Sequence, residues 1–213
     1  MKYIKKTSAI IFDELMESRK ELLSCKKSIL NMYEMSIECI KKGGTVLVCG
    51  NGGSAADCEH IVGELMKGFM SPRHLSQEQK QKFEEAGFEE LSNKLQQAIP
   101  AISLVSHIGL TTAFANDVSA DMVFAQQVFA YNNVNNILIA ISTSGNSKNV
   151  LNAVKTAKAL GIKTIALLGK DGGKIADVAD CCVIVPEHIT YKIQELHMPI
   201  YHAWSAMIEA EMF

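Results

Sequence analysis

Five short apolar runs constrain this chain more than anything else in it: Thr45–Cys49, Ala101–Val105, Ile137–Ile141, Thr164–Leu168 and Cys181–Val185. Each is hydrophobic at consecutive positions rather than at every second one, the pattern of a strand covered on both faces. Helix-like stretches separate them. The resulting βα alternation predicts an α/β fold, an open doubly wound parallel sheet of five strands. At 213 residues and 48% hydrophobic, the chain can bury such a core as a single domain spanning 1–213.

Three segments lie outside that pattern. From about Ile4 to Lys42, Ile11, Leu15, Leu22, Ile29, Met32, Met35 and Ile40 recur at helical spacing, which predicts one long helix closed by Gly43-Gly44. Its apolar stripe needs a partner, either the domain or another subunit, so 1–42 is read as an oligomerisation segment. Ser71 to Gln97 is charged and glutamine-rich and predicts an inserted helical excursion, a solvated hairpin in the plainest reading and a lid or subunit contact otherwise. Tyr191 to Phe213 reads as one apolar helix that Pro199 interrupts.

Bulk charge excludes some functions. A net charge of −2 exerts no general pull on nucleic acid or an anionic membrane, and no partner of either kind is expected. No apolar run reaches bilayer-spanning length, and Met1–Lys6 does not open a secretory leader. The six cysteines lack metal-type spacing, which points to a reduced, cytoplasmic setting. Arg19 and Arg73 are the only arginines, so hydroxyl and backbone turns gain importance for holding any phosphate, with Lys170 as a further source of charge.

Such a site is visible. After the third apolar run come Ser142, Thr143, Ser144, Gly145, Asn146 and Ser147; after the first come Gly50, Asn51, Gly52, Gly53 and Ser54. Hydroxyl and glycine turns between a strand and a helix favour an anion, because the helix N-terminus is positive and its first N–H groups are unpaired. Two such turns predict a phosphorylated small molecule at the carboxyl end of the sheet. On the following helix His60 and Glu64 stand four apart, a spacing that suits a metal or an acid–base pair and, taken singly, also an ordinary surface pair. The last helix adds Gln194, Glu195, His197 and His202.

Read together with Asn116-Asp117, Gly169–Gly173 and Ile193–His197, these motifs resemble the sugar-isomerase (SIS) domain family, most closely its phosphoheptose isomerase branch. The likeness runs from about Gly43 to the end of the chain, outside the 71–97 insertion. It implies a flavodoxin-like sheet and a homo-oligomer, a tetramer, with sites between subunits. The substrate contacts it implies fall on Asn51, Gly52, Gly53, Glu64, Asn116, Asp117, Ser142, Thr143, Ser144, Ser147 and Gln194. Proton transfer falls on Glu64 and His202, with either as the base. A zinc ion falls on His60, Glu64, Gln194 and His202. The activity implied is aldose–ketose isomerisation of sedoheptulose 7-phosphate through an enediol. Relatives of other classes bind the replication initiator protein or sense sugar phosphates, and isomerisation of another phosphosugar is a further alternative.

Two local features bear on that reading. Pro199, between Gln194 and His202, is expected to bend the last helix and redirect His202, leaving His197 as its rival. Tyr191 stands where the branch can carry an acidic residue near the sugar. The Gly169–Gly173 turn and the methionines are expected to be structural.

Overall fold

The computed structural model describes residues 5–213, so the start of the N-terminal segment, Ile4 included, lies outside the described residues. One sheet contains β1 (Val46–Gly50), β2 (Ala101–Ser103), β3 (Ile137–Ser142), β4 (Lys163–Leu168) and β5 (Cys181–Ile184). Its order is β2-β1-β3-β4-β5 and every pairing is parallel. The five apolar runs are these strands, with their ends moved by a residue or two.

The helices, in chain order, are α1 (Lys6–Ser18), α2 (Lys26–Lys41), α3 (Gly53–Met66), α4 (Gln77–Glu85), α5 (Glu89–Ser92), α6 (Ile108–Phe114), α7 (Val123–Ala130), α8 (Lys148–Ala159), α9 (Gly173–Ala176) and α10 (Thr190–Met212). Successive strand residues feed opposite cores. Val46, Val48, Ile137, Ile139, Ile165 and Leu167 meet α2, α3 and α10 on one side. Leu47, Cys49, Leu138, Ala140, Ala166 and Leu168 meet α7 and α8 on the other. That double burial is why the strands are apolar at both parities. It also sets α3 and α10 side by side on one face of the sheet, where their polar residues can meet.

The N-terminal segment departs from the single rod its spacing predicts. Arg19, with φ −127° and ψ 71°, ends α1, and a 3₁₀ turn over Lys20–Cys25 leads into α2. Its stripe packs on its own chain: Leu22, Ile29 and Met32 are fully buried, α1 lies along α10, and Ser8 Oγ donates to the Met207 carbonyl at 3.0 Å. The excursion after α3 is helical as expected, formed by α4 and α5, with Ser76 and Gln79 making a reciprocal cap. An antiparallel bridge between His74 and Gln96 closes its base. No helix among the described residues is long and apolar enough to cross a membrane.

Helix α10 runs unbroken through Pro199 for 23 residues, about 34 Å. Proline removes one backbone hydrogen bond there. Buried Ile193, Ile200, Tyr201, Trp204 and Met207 hold the helix on the sheet on both sides of that gap.

Candidate active site

Both polar turns stand where the strand order reverses, at the carboxyl ends of β1 and β3, the crevice in which open α/β sheets bind ligands. Asn51 and Asn149 tie the turns together, each side-chain amide donating to the other's oxygen at 2.8 and 2.9 Å. Asn149 escaped the sequence reading because its partner comes from a different turn and no local spacing marks it.

In the second turn, Ser142 Oγ donates to Ser147 Oγ at 3.1 Å and Ser144 Oγ accepts from the Asn146 N–H at 3.2 Å. Thr143 and Ser144 are half-buried. Helix α8 begins at Lys148, with Ser147 before it making no side-chain cap. The positive end of the helix is therefore offered to the turn. Gly145 is fixed by its surroundings. Its φ is +64°, and a Cβ there would stand 1.8 Å from the Gly172 carbonyl oxygen. The Gly169–Gly173 turn is thus a buttress, joined further by the Ile175 N–H donating to the Gly145 carbonyl at 3.0 Å.

Asn116 and Asp117 lie in a short π-helical turn after α6, exposed and bonded to each other at 2.8 Å. Gly52 and Gly53 are exposed at the start of α3. The Gln194 amide lies directly over Gly53, so close that a Cβ at Gly53 would meet its Nε2 at 2.6 Å. Gln194 therefore belongs to the first polar turn. Eight residues of helix, about 12 Å, separate it from His202.

A second cluster forms farther along α3 and α10. His60 Nε2 lies 3.0 Å and His202 Nε2 3.5 Å from the same oxygen, Glu64 Oε1. His60 and Glu64 meet because they are one helical turn apart, and α10 brings His202 over them. It does so with α10 unbroken at Pro199. Burial raises the Glu64 carboxyl above its usual range, partly offset by His60, while burial and then the nearby His60 lower His202. Behind the cluster, Tyr201 donates to Asp57 Oδ1 at 3.2 Å and faces His60 Nδ1 at 3.2 Å. Asp57 and Tyr201 were not singled out from sequence, though Asp57 shares a face with His60 three residues on.

This donor set fits zinc. Ligand atoms of His60, Glu64 and His202 lie within 4.8 Å of one another. The two nitrogen–oxygen separations, 3.0 and 3.5 Å, bracket the roughly 3.3 Å edge of a tetrahedron with arms of about 2.0–2.1 Å. Glu64 Oε2 and His202 Nε2 are buried and make no hydrogen bond, a cost that a bound ion or substrate would remove.

His197 is placed elsewhere. It is fully buried, its Nε2 donates to the Leu168 carbonyl at 3.1 Å, and burial pushes its pKa down to about 4. It is a neutral tie between α10 and β4. His197→Leu is expected to cost about 0.5–1.5 kcal/mol in urea unfolding, through the lost hydrogen bond to a Leu168 carbonyl that keeps the Val185 N–H, and to leave kcat within a few fold of wild type. A large loss of kcat with unchanged stability would return His197 to the site.

The fold and these turns define a phosphosugar-binding protein of the sugar-isomerase type. The family described as SIS domain matches residues 12–96 and 86–169, and the chain belongs to it. It is similar to the phosphoheptose isomerase of a Nitratiruptor species, 37% identical over 201 residues, covering 89% of this chain and 95% of that one. It is likewise similar to a phosphoheptose isomerase of Helicobacter pylori, 39% identical over 191 residues, covering 90% and 88%. Among solved structures it matches the phosphoheptose isomerase of Neisseria gonorrhoeae with a TM-score of 0.73 and 31% identity, over 98% of this chain and 100% of that one.

Proposed function

We infer that this protein is an aldose–ketose isomerase that converts sedoheptulose 7-phosphate to D-glycero-D-manno-heptose 7-phosphate through an enediol. The observation that carries the reading is the pairing of a hydroxyl-and-glycine turn with a Glu/His cluster built on the buried Glu64 carboxyl.

In this reading Ser142, Thr143, Ser144 and Ser147 hold the phosphate against the N-terminus of α8. Asn51, Gly52, Gly53 and Gln194 line the adjoining turn, and Asn116 and Asp117 reach the sugar from their π-helical turn. Glu64 takes the proton from the carbon beside the carbonyl through its unpartnered Oε2 and returns it to the neighbouring carbon. A carboxylate kept from water is the stronger base for that step. His202 serves the carbonyl oxygen, donating to it in the metal-free protein. His60, Glu64 Oε1 and His202 would hold zinc, with Gln194 as the further ligand that the family likeness implies. When bound, zinc would polarise the carbonyl and stabilise the developing oxyanion.

The assembly is proposed to be a homo-oligomer, a tetramer. The N-terminal stripe is largely covered within the chain, and the apolar residues left exposed for an interface lie on that segment, Ile10 and Leu23, and around α6 and on α10, Ile108, Val118, Met122 and Met198 among them. Six free thiols, five of them buried, suit the cytoplasm.

The test is proton exchange: purified protein, sedoheptulose 7-phosphate and deuterated water, followed by NMR with and without zinc. Deuterium at the carbon beside the carbonyl, with aldose appearing, is expected, and faster when zinc is present. Saturable binding without exchange in either condition would overturn the enzyme reading and favour a sensor.

A further inference from the structure

We propose that Tyr201, backed by Asp57, is a positioning residue that holds His60 as its Nδ1–H tautomer and so presents a bare Nε2 to a cation; this rests on the zinc reading above. Tyr201 is fully buried, with its hydroxyl 3.2 Å from both Asp57 Oδ1 and His60 Nδ1. A phenol has one proton to give. Asp57 is buried, its Oδ2 has no partner, and Tyr201 is the donor to its Oδ1. A carboxylate so short of donors claims the phenol proton, since leaving it unmet costs more than any neutral alternative.

The remaining geometry follows. With its proton committed to Asp57, the Tyr201 oxygen can only accept from His60, so His60 Nδ1 carries the hydrogen. A neutral imidazole protonated there has its lone pair on Nε2. That atom faces Glu64 Oε1 at 3.0 Å, so an ionised Glu64 sets two acceptors against one another, an arrangement a cation between them relieves. Helix α10 thereby acts on His60 twice. Tyr201 sets its back and the adjacent His202 shares its front, with the His60 and His202 ring centres 4.9 Å apart.

The experiment reads the tautomer directly. Long-range proton–nitrogen NMR on zinc-free, isotope-labelled protein is expected to show His60 with its hydrogen on Nδ1. Tyr201→Phe, which keeps the buried ring, is expected to move it toward the Nε2–H form and to weaken zinc about 10–100-fold in competition with a chromophoric chelator. Asp57→Ala removes the acceptor and frees the phenol proton, and is expected to shift both readouts in the same direction, so it carries the test if Tyr201→Phe folds poorly. An Nε2–H tautomer in wild type, or wild-type zinc affinity in both variants, overturns the proposal. Wild-type protein that takes up no zinc overturns the zinc reading itself, and the spectra still decide the tautomer.

Discussion

Glu64→Gln is expected to lower kcat about a hundred- to ten-thousand-fold, the usual contribution of a positioned general base. The side chain is 6% exposed, and its carboxyl is already pushed by burial toward the uncharged form. Glutamine matches it in size and carries no charge, so the exchange removes the proton acceptor with little demand on the fold. The melting temperature should therefore stay within a few degrees, read through Trp204, the single tryptophan and fully buried. Sugar phosphate should still bind, because the turns around Asn51 and Ser144 are untouched. Deuterium exchange at the carbon beside the carbonyl must fall with kcat. Near-normal turnover would remove Glu64 from the chemistry.

The largest expected effect on stability lies away from that chemistry. Arg73 and Glu209 form an ion pair at 2.7 Å, with side chains 0% and 3% exposed. Glu209 also accepts from the backbone N–H groups of Phe69, Met70 and Ser71, and Arg73 donates to the carbonyls of Glu64 and Leu65 at 3.0 and 2.6 Å. The guanidinium therefore caps the end of α3 while α10 holds the guanidinium. Removing one partner leaves a buried charge unmatched, and Glu209→Ala is expected to cost about 3–5 kcal/mol in urea unfolding. An unchanged midpoint would show the pair to be idle. The pH dependence has a definite sign. Burial alone would raise Glu209, but the Phe69 N–H, Arg73 and the Met70 N–H outweigh it and hold the carboxyl below its usual range. A folded value below the unfolded one, about 4.3, gives stability that is fully present above that pH and drains away as pH falls through the folded value. Wild type should lose stability on acidification more steeply than Glu209→Ala.

That pair also shows what the residues could and could not convey. The strands were legible because parallel pairing buries both faces and writes itself as unbroken hydrophobicity in runs such as Ile137–Ile141. The hydroxyl turn was legible because Ser142 to Ser147 are local. The His60–Glu64–His202 cluster was half legible: helical spacing pairs the first two, but only the shared face of the sheet brings α10 over them. Arg73 was not legible, because an arginine in a charged, glutamine-rich stretch reads as solvated until its partner 136 residues away is seen. Nor was the break at Arg19, which carries no glycine or proline to announce it. His197 and His202 could not be ranked from spacing while the course of α10 through Pro199 was open. The unbroken helix turns one to the sheet and the other to Glu64.

The bridge between His74 and Gln96 has a practical corollary. Paired strand residues stand roughly 4.5–5.5 Å apart, so everything the chain spells between them leaves and re-enters at nearly the same point. Helices α4 and α5 form a detachable loop whose base is locked by Arg73. Such a site tolerates grafting: a reporter domain with neighbouring termini could replace 77–92 without straining the end of α3.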